Sequence, residues 1–271
     1  MSFLRAKAAL AGTRFSDLRR VERTGSTNAD LLAEAARSAG ECALIADVQD
    51  AGRGRLDRRW EAPVGASLLM SVLVRPPFPA GGPQLLGIAL GLAALDAVDA
   101  LTGVDVGLKW PNDVVTTGAA PAEDAPPADR KLGGLLAELA TDDSGVPSAA
   151  VLGIGLNVAW PDGFPDELSG TAASLDQLGA HVDRVDLGVE ILRQLDARGR
   201  LLGDGTVREM LDDYRRRCVS LGRHVRVELR DDELLGSAVD VAADGSLLVR
   251  DPAGRIHTVR SGDVVHLRQP E

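Results

Sequence analysis

KLGGLLAELA at 131–140 and AAVLGIGLNVAW at 149–160 decide how this chain folds. Each is an apolar run of strand length, and the short turn-forming link TDDSGVPS separates them, so they read as adjacent strands. Each also carries two glycines, Gly133 and Gly134 in the first, Gly153 and Gly155 in the second. Glycine weakens a strand unless something approaches the backbone closely, either a flat ligand or a tightly packed neighbour.

The segments on either side extend this sheet. CALIADV (42–48) and SLLMSVLV (67–74) read as buried strands, and VGLKW (106–110) as a short strand cut off by Pro111. Ser26 or Thr27 caps a helix with Asp30 in its first turn, Leu31, Leu32 and Ala35 on one face, and Gly40 as its stop. Leu85, Ile88, Leu92, Leu95 and Val98 recur at helical spacing within 84–101, and two further helices are expected over 186–202 and 204–217. After Leu221 the pattern changes to short strands, HVRVEL, SAVDVA, SLLVR and IHTV, separated by Asp/Gly turns. The expected fold is α/β (α+β): a mixed-sheet domain over 1–218, then a small all-β barrel over 219–271. Residues 1–22 read as an N-terminal arm, too short for a helix-turn-helix, and 117–130 (TGAAPAEDAPPADR) as an acidic insert with nothing to pack.

The bulk composition sets limits on function. Of 271 residues, 45% are hydrophobic and 26% charged, as in ordinary globular proteins. A net charge of −10 argues against general nucleic-acid binding, which needs a basic face to displace counterions. Cys42 and Cys218 are isolated, so neither a disulfide framework nor a zinc site is expected, and a reducing, cytoplasmic setting suits them. No signal peptide is evident, and no run approaches 18 uncharged apolar residues; membrane association is not expected.

Three segments carry chemistry. Only three of the thirty basic residues are lysines, Lys7, Lys109 and Lys131, and the last two fall within unusual motifs. Lysine is a compact charge suited to a phosphoryl or acyl oxygen, whereas arginine is a rigid fork. GRGR at 52–55 alternates glycine with guanidinium and is followed by Arg58 and Arg59; it completes neither a dinucleotide fingerprint nor a Walker loop. Such a segment can close over phosphate or carboxylate, or serve simply as an exposed polar loop. LKWPNDVV (108–115) puts Lys109, Asn112 and Asp113 just beyond a strand end, where open sheets contact ligands. An Asp beside an Asn suits Mg²⁺ shared with substrate phosphates, though both are also ordinary turn residues.

Taken in order, Ser26–Thr27–Asn28, QDAGRGR (49–55) with Trp60, KWPND (109–113), KLGGLLAE (131–138) and GIGLN (153–157) resemble the biotin protein ligases. The likeness runs from about 22 to 160 and resumes in the C-terminal module, which resembles that family's SH3-like domain. It implies a two-step reaction: biotin and MgATP form biotinyl-5′-AMP, and a lysine of a biotin carboxyl carrier domain then attacks the mixed anhydride. It also implies roles for individual residues. Ser26, Thr27, Asn28 and Gln49 would meet the ureido ring, and Gly134, Gly153 and Gly155 would leave room for the bicycle and its chain. Arg53, Gly54 and Arg55 would fold over the adenylate. Lys131 would contact the biotin carboxylate and the α-phosphate. Arg55, Arg58, Trp60, Lys109, Asn112, Asp113 and Asn157 would serve ATP, with Asp113 at Mg²⁺. Some members carry an N-terminal operator-binding domain; with only about 22 residues before the match, a monofunctional ligase, monomeric or weakly dimeric, is expected.

Two other readings compete. Lipoate ligases and octanoyltransferases share the catalytic fold, but the former lack the GRGR loop and the latter use a cysteine nucleophile, for which neither Cys42 nor Cys218 is well placed. A non-catalytic biotin or nucleotide sensor would have little need to retain both Lys109 and Lys131.

Overall fold

The strand Ser67–Val74 is buried along its whole length, so both faces of the sheet are covered where it runs. Its residues divide by parity, as a pleated strand requires. Leu68, Met70 and Val72 join the large core, while Leu73 packs with Leu31 and Ala35 from a helix on the opposite face. A computed structural model of the chain describes residues 2–267, apart from 38–39, 57, 80–81, 83, 118–128, 202–206 and 230–231.

The first sheet contains β1 (Leu18–Thr24), β2 (Cys42–Gln49), β3 (Ser67–Val74), β4 (Val106–Lys109), β5 (Asp113–Thr116), β6 (Lys131–Thr141) and β7 (Pro147–Asn157). Its order is β1-β2-β3-β7-β6-β5-β4. Only β1 and β2 run parallel; the remaining pairs are antiparallel, making the sheet mixed. Strands β6 and β7 pair directly, with Gly134 opposite Gly155 and Leu136 opposite Gly153.

The helices are α1 (Phe3–Ala9), α2 (Thr27–Ala35), α3 (Gln84–Thr102), the single turn α4 (Asp166–Ser169), α5 (Arg184–Leu201) and α6 (Val207–Arg217). Helix α3 is long and apolar enough by length and composition to cross a membrane, yet most of it is buried within the protein. Its Asp96, one of two carboxylates on this apolar helix, pairs with Arg198 of α5 and Arg217 of α6 and so fastens both neighbours.

Two expectations change. Residues 1–22 do not form a free arm: α1 contributes Ala6, Leu10 and Phe15 follow, and these fully or almost fully buried side chains belong to the main core, while β1 extends the sheet. Seven helical residues are too short a run to show a period, and three of its five apolar positions are alanine. The insert at 117–130 lies almost wholly outside the described residues, but its end is anchored, since Asp129 bonds His266 at 2.7 Å.

The second sheet holds β8 (His224–Glu228), β9 (Glu233–Val241), β10 (Leu247–Arg250), β11 (Ile256–Val259) and β12 (Asp263–His266). Its order, β11-β10-β9-β8-β12, leaves the two outer strands unpaired with each other, so this SH3-like module is an open curl rather than a closed barrel. The four-residue β12 follows a turn at Gly262 and pairs with β8. The module is held to the first domain through the Trp110–Pro111 turn: the Trp110 indole N–H donates to Gly245 O at 3.1 Å, and its backbone N–H donates to Ser220 Oγ at 3.1 Å.

Candidate functional site

Helix α2 covers only part of its side of the sheet. Beyond its first turn lies a cavity of about 340 Å³, floored by Gly134, Gly153 and Gly155 and walled by the 52–60 loop, the Trp110–Pro111 turn and the C-terminal module. Ser26, Thr27, Asn28, Gln49, Arg53, Gly54, Arg55, Arg58, Trp60, Lys109, Asn112, Asp113 and Lys131 all line it. Residues spread over more than a hundred positions of sequence therefore meet around one space.

One end of the cavity is neutral. Ser26 caps α2, accepting from Ala29 N–H at 3.4 Å. Gln49 Oε1 accepts from the Thr27 backbone N–H at 2.7 Å and lies 3.0 Å from Thr27 Oγ1. Thr27 Oγ1 lies 2.6 Å from Ser71 Oγ, which donates to Asn28 Oδ1 at 2.5 Å. Asn28 Nδ2 in turn donates to Glu138 Oε2 at 2.8 Å. Amides and hydroxyls thus orient one another in a buried chain, which suits recognition of a neutral polar group.

The other end is cationic. Lys131 Nζ stands 2.8 Å from Asp113 Oδ1 and 5.8 Å from the centre of the Trp60 ring. Lys109 lines the wall with no carboxylate partner among the described residues. The loop itself is a tight hairpin in which Arg53 bridges Arg59 and Gly54 N–H donates to Arg58 O at 2.7 Å. Gly52 is required there, because a Cβ would lie 2.3 Å from Trp60 O. Two carboxylates fasten the loop: Glu138 holds Arg53 at 2.8 Å, and Asp263 of the C-terminal module holds Arg58 at 2.5 Å with Arg55 at 3.9 Å. Burial away from water pushes the Arg55 guanidinium pKa down, with Asp263 and Asp113 opposing that shift.

The glycines answer a question the sequence leaves open. A Cβ on Gly153 would fall 2.2 Å from Asn28 Oδ1, and one on Gly155 would fall 2.6 Å from the Trp60 indole. Gly134 faces the same indole at 3.4 Å. The close approach they permit is made by side chains of the site itself. Gly133, by contrast, accommodates the neighbouring strand, with Gly155 O at 2.7 Å.

One expected residue lies apart from the others. Asn157 does not line the cavity; its Oδ1 accepts from Ser67 Oγ at 3.0 Å and from the Trp160 indole at 3.3 Å, and its Nδ2 donates to Ala173 O at 3.1 Å. With its Oδ1 and one N–H engaged inside the protein, Asn157 holds a structural corner beside the site. Asn112 lines the wall but is also engaged, donating to Leu135 O at 2.8 Å and accepting from Arg55 at 3.3 Å. Ser71, Glu138 and Asp263 are the residues that sequence reasoning overlooked. Glu138 closes the KLGGLLAE motif, and Ser71 breaks an apolar run, which were the available signals.

Neither cysteine borders the cavity. Burial pushes the Cys42 thiol up to about 11 and raises that of Cys218 as well, which makes both poor nucleophiles.

Comparison with known proteins agrees with this geometry. The model for "Biotin/lipoate A/B protein ligase family" matches residues 21–157, and "Biotin protein ligase C terminal domain" matches 220–267. The chain is 41% identical over 268 residues to a biotin–[acetyl-CoA-carboxylase] ligase of Mycobacterium tuberculosis, covering 95% of this chain and 92% of that one. It is 30% identical to the bifunctional ligase/repressor BirA of Bacillus spizizenii, covering 82% of this chain and 65% of the relative's length. Among solved structures, a biotin protein ligase from Aquifex aeolicus in complex with biotin and ATP superposes with a TM-score of 0.76 at 27% identity, covering 94% of this chain and 100% of that one. With a catalytic-domain match over half its length and near-complete overlap with the mycobacterial enzyme, the chain belongs to the biotin/lipoate protein ligase family, on its biotin protein ligase branch.

Proposed function

We propose that this chain activates biotin with ATP as biotinyl-5′-AMP and transfers the biotinyl group to a lysine of the carboxyl carrier domain of an acyl-CoA carboxylase. The observation that carries this reading is the cavity's polarity: neutral amides and hydroxyls at one end, Lys131, Lys109 and the loop arginines at the other. A ligand with a neutral ureido ring and a carboxylate tail, joined to a nucleotide, matches that gradient. The named activities of the relatives support the same choice.

In the first step a biotin carboxylate oxygen attacks the α-phosphorus and the bond to pyrophosphate breaks. Negative charge then concentrates on the α-phosphoryl oxygens. A fixed ammonium at Lys131 stabilises that charge more than it stabilises the separated reactants. Asp113, 2.8 Å away, holds this ammonium in place, and the Trp60 face limits its swing. In the second step the carrier amine attacks the acyl carbon, AMP leaves and the amine loses a proton. The loop arginines cover the anhydride meanwhile and keep water from it.

Among the described residues no cluster of three ligating side chains would hold a metal ion alone. One carboxylate, Asp113, together with nucleotide phosphates does suit Mg²⁺, which retains water and shares phosphate oxygens. The metal would thus arrive with ATP and neutralise charge on the leaving pyrophosphate. The two buried free cysteines also suit a reducing cytoplasm.

Incubation with MgATP and equal concentrations of biotin, octanoate and lipoate, followed by mass spectrometry of the bound species, tests the reading. A biotin adenylate and pyrophosphate release are expected; an octanoyl or lipoyl adenylate formed in preference would overturn it.

A further inference from the structure

Glu138 sits where two recognition elements converge. It lies on β6 two residues beyond Leu136 and four beyond Gly134, both on the cavity wall, so the pleat turns its side chain to the same face. The outer half of β6 exposes Ala137, Leu139 and Thr141 on one face and half-buries Leu136, Glu138 and Ala140 on the other, where the Glu138 side chain retains 18% of its accessible surface. On that inward face each of its carboxylate oxygens has a partner. Oε2 accepts from Asn28 Nδ2 at 2.8 Å, and Oε1 meets Arg53 Nη2 at 2.8 Å. Asn28 is the second residue of α2, and Arg53 belongs to the covering loop.

The chain behind this contact is continuous: Gln49, Thr27, Ser71, Asn28, Glu138, Arg53, with each link at hydrogen-bond distance. Its direction is also fixed. A carboxylate only accepts, so Asn28 must present Nδ2 to Glu138 and Oδ1 to Ser71. Any group that binds against Thr27 and Asn28 therefore acts on the carboxylate that positions Arg53. The other fastened arginines, Arg55 and Arg58, depend on Asp263 and lie outside this chain.

We propose that Glu138 is a positioning residue that couples ring recognition at Thr27 and Asn28 to the placement of Arg53 over the reacting carboxylate. The proposal rests on the biotin reading of the cavity. Glu138→Gln separates the two links, because glutamine offers one acceptor and one donor. With the acceptor given to Asn28, its NH₂ group faces the Arg53 guanidinium, donor against donor. Glu138→Asp keeps the charge and serves as the conservative rescue.

The experiment follows limited trypsin cleavage after Arg55, Arg58 and Arg59, mapped by mass spectrometry, in the full chain with and without biotin. In wild type, biotin is expected to slow cleavage. In Glu138→Gln the ligand-free loop should be cut roughly two- to fivefold faster, the effect of losing a half-exposed ion pair. Biotin protection should shrink towards none, with the KM for ATP unchanged. Glu138→Asp should recover much of the protection. In an Arg53→Ala background, Glu138→Gln should add nothing, since both changes remove the same link. Additive effects, or full biotin protection in Glu138→Gln, overturn the coupling. Wild-type protein that neither forms a biotin adenylate nor gains protection from biotin defeats the functional reading instead, while the ligand-free cleavage comparison still reports on the Glu138–Arg53 link.

Discussion

Lys131 and Gly153 show how a single residue is decided by its immediate surroundings. Lys131 is held beside the Asp113 carboxylate with the Trp60 ring nearby, and its compact point charge, unlike a planar fork, suits a single phosphoryl or acyl oxygen. Lys131→Arg should slow adenylate formation on the order of 10- to 100-fold, measured by pyrophosphate release, while biotin affinity by calorimetry changes far less. Equal losses in both would remove the transition-state role. Gly153→Ala should be costly for a different reason. Its Cβ would lie 2.2 Å from Asn28 Oδ1, so Asn28 must abandon Ser71 and Glu138. A destabilisation of about 1–3 kcal/mol with weakened biotin binding is expected in denaturant titrations. Gly87→Ala, with open space around its Cβ in α3, should be neutral or mildly stabilising, by up to ~1 kcal/mol. Both glycine positions look alike as letters; the neighbour 2.2 Å away distinguishes them.

At the scale of elements, the 52–60 loop is the one that function depends on most. The sequence identifies it as irregular, cationic and glycine-bearing, and the structure adds how it is secured, by Glu138 on one side and Asp263 on the other. Arg53→Gly removes the first attachment and leaves the second. Free biotinyl-AMP should then escape and label bystander lysines. An anti-biotin blot against a mixture of unrelated proteins measures this, and unchanged acceptor selectivity would refute the covering role. The strands β2, β3 and β6 fall within one residue of their expected bounds because their apolar periods are strong, whereas α2 ends at Ala35, short of Gly40, and β7 ends at Asn157 rather than at 160. α1 and β12 are not legible for the converse reason: elements this short show no period and gain their stability from tertiary packing.

Across the whole molecule, the two sheets share one junction around Trp110, Ser220 and His266. His266 Nε2 lies 3.0 Å from Ser220 Oγ, and its Nδ1 lies 2.7 Å from Asp129. The hydrogen bond to His266, aided by Arg223, holds the Asp129 carboxyl well below the usual carboxylate range. Its pKa is lowered on folding, so its stabilisation is present above the unfolded value of about 4 and is lost as pH falls through and below it. Calorimetric Tm should accordingly be higher for wild type than for Asp129→Asn at neutral pH, with the gap constant down to about pH 5 and narrowing progressively as pH falls below about 4. A gap independent of pH would mean that Asp129 contributes by packing alone. The buried thiols give a second global test: Cys42 and Cys218 should react with a thiol reagent at pH 8 only once the protein unfolds. Rapid labelling of the native chain would contradict their burial.

The sequence by itself determined the element types with strong period, the mixed α/β class, the β-rich tail and the segments that gather at the cavity. These rest on local information, namely hydrophobic spacing, turn residues and short motifs. Only the tertiary structure decided which side chains are still available. Asn157 sits in a motif yet is consumed by Ser67, Trp160 and Ala173, whereas Glu138 and Asp263, which drew no assignment, secure the loop. The reason is physical: a hydrogen-bonding group's capacity is set by partners far away in sequence. Whether an amide or a carboxylate faces a ligand or a neighbour is settled only when those partners arrive.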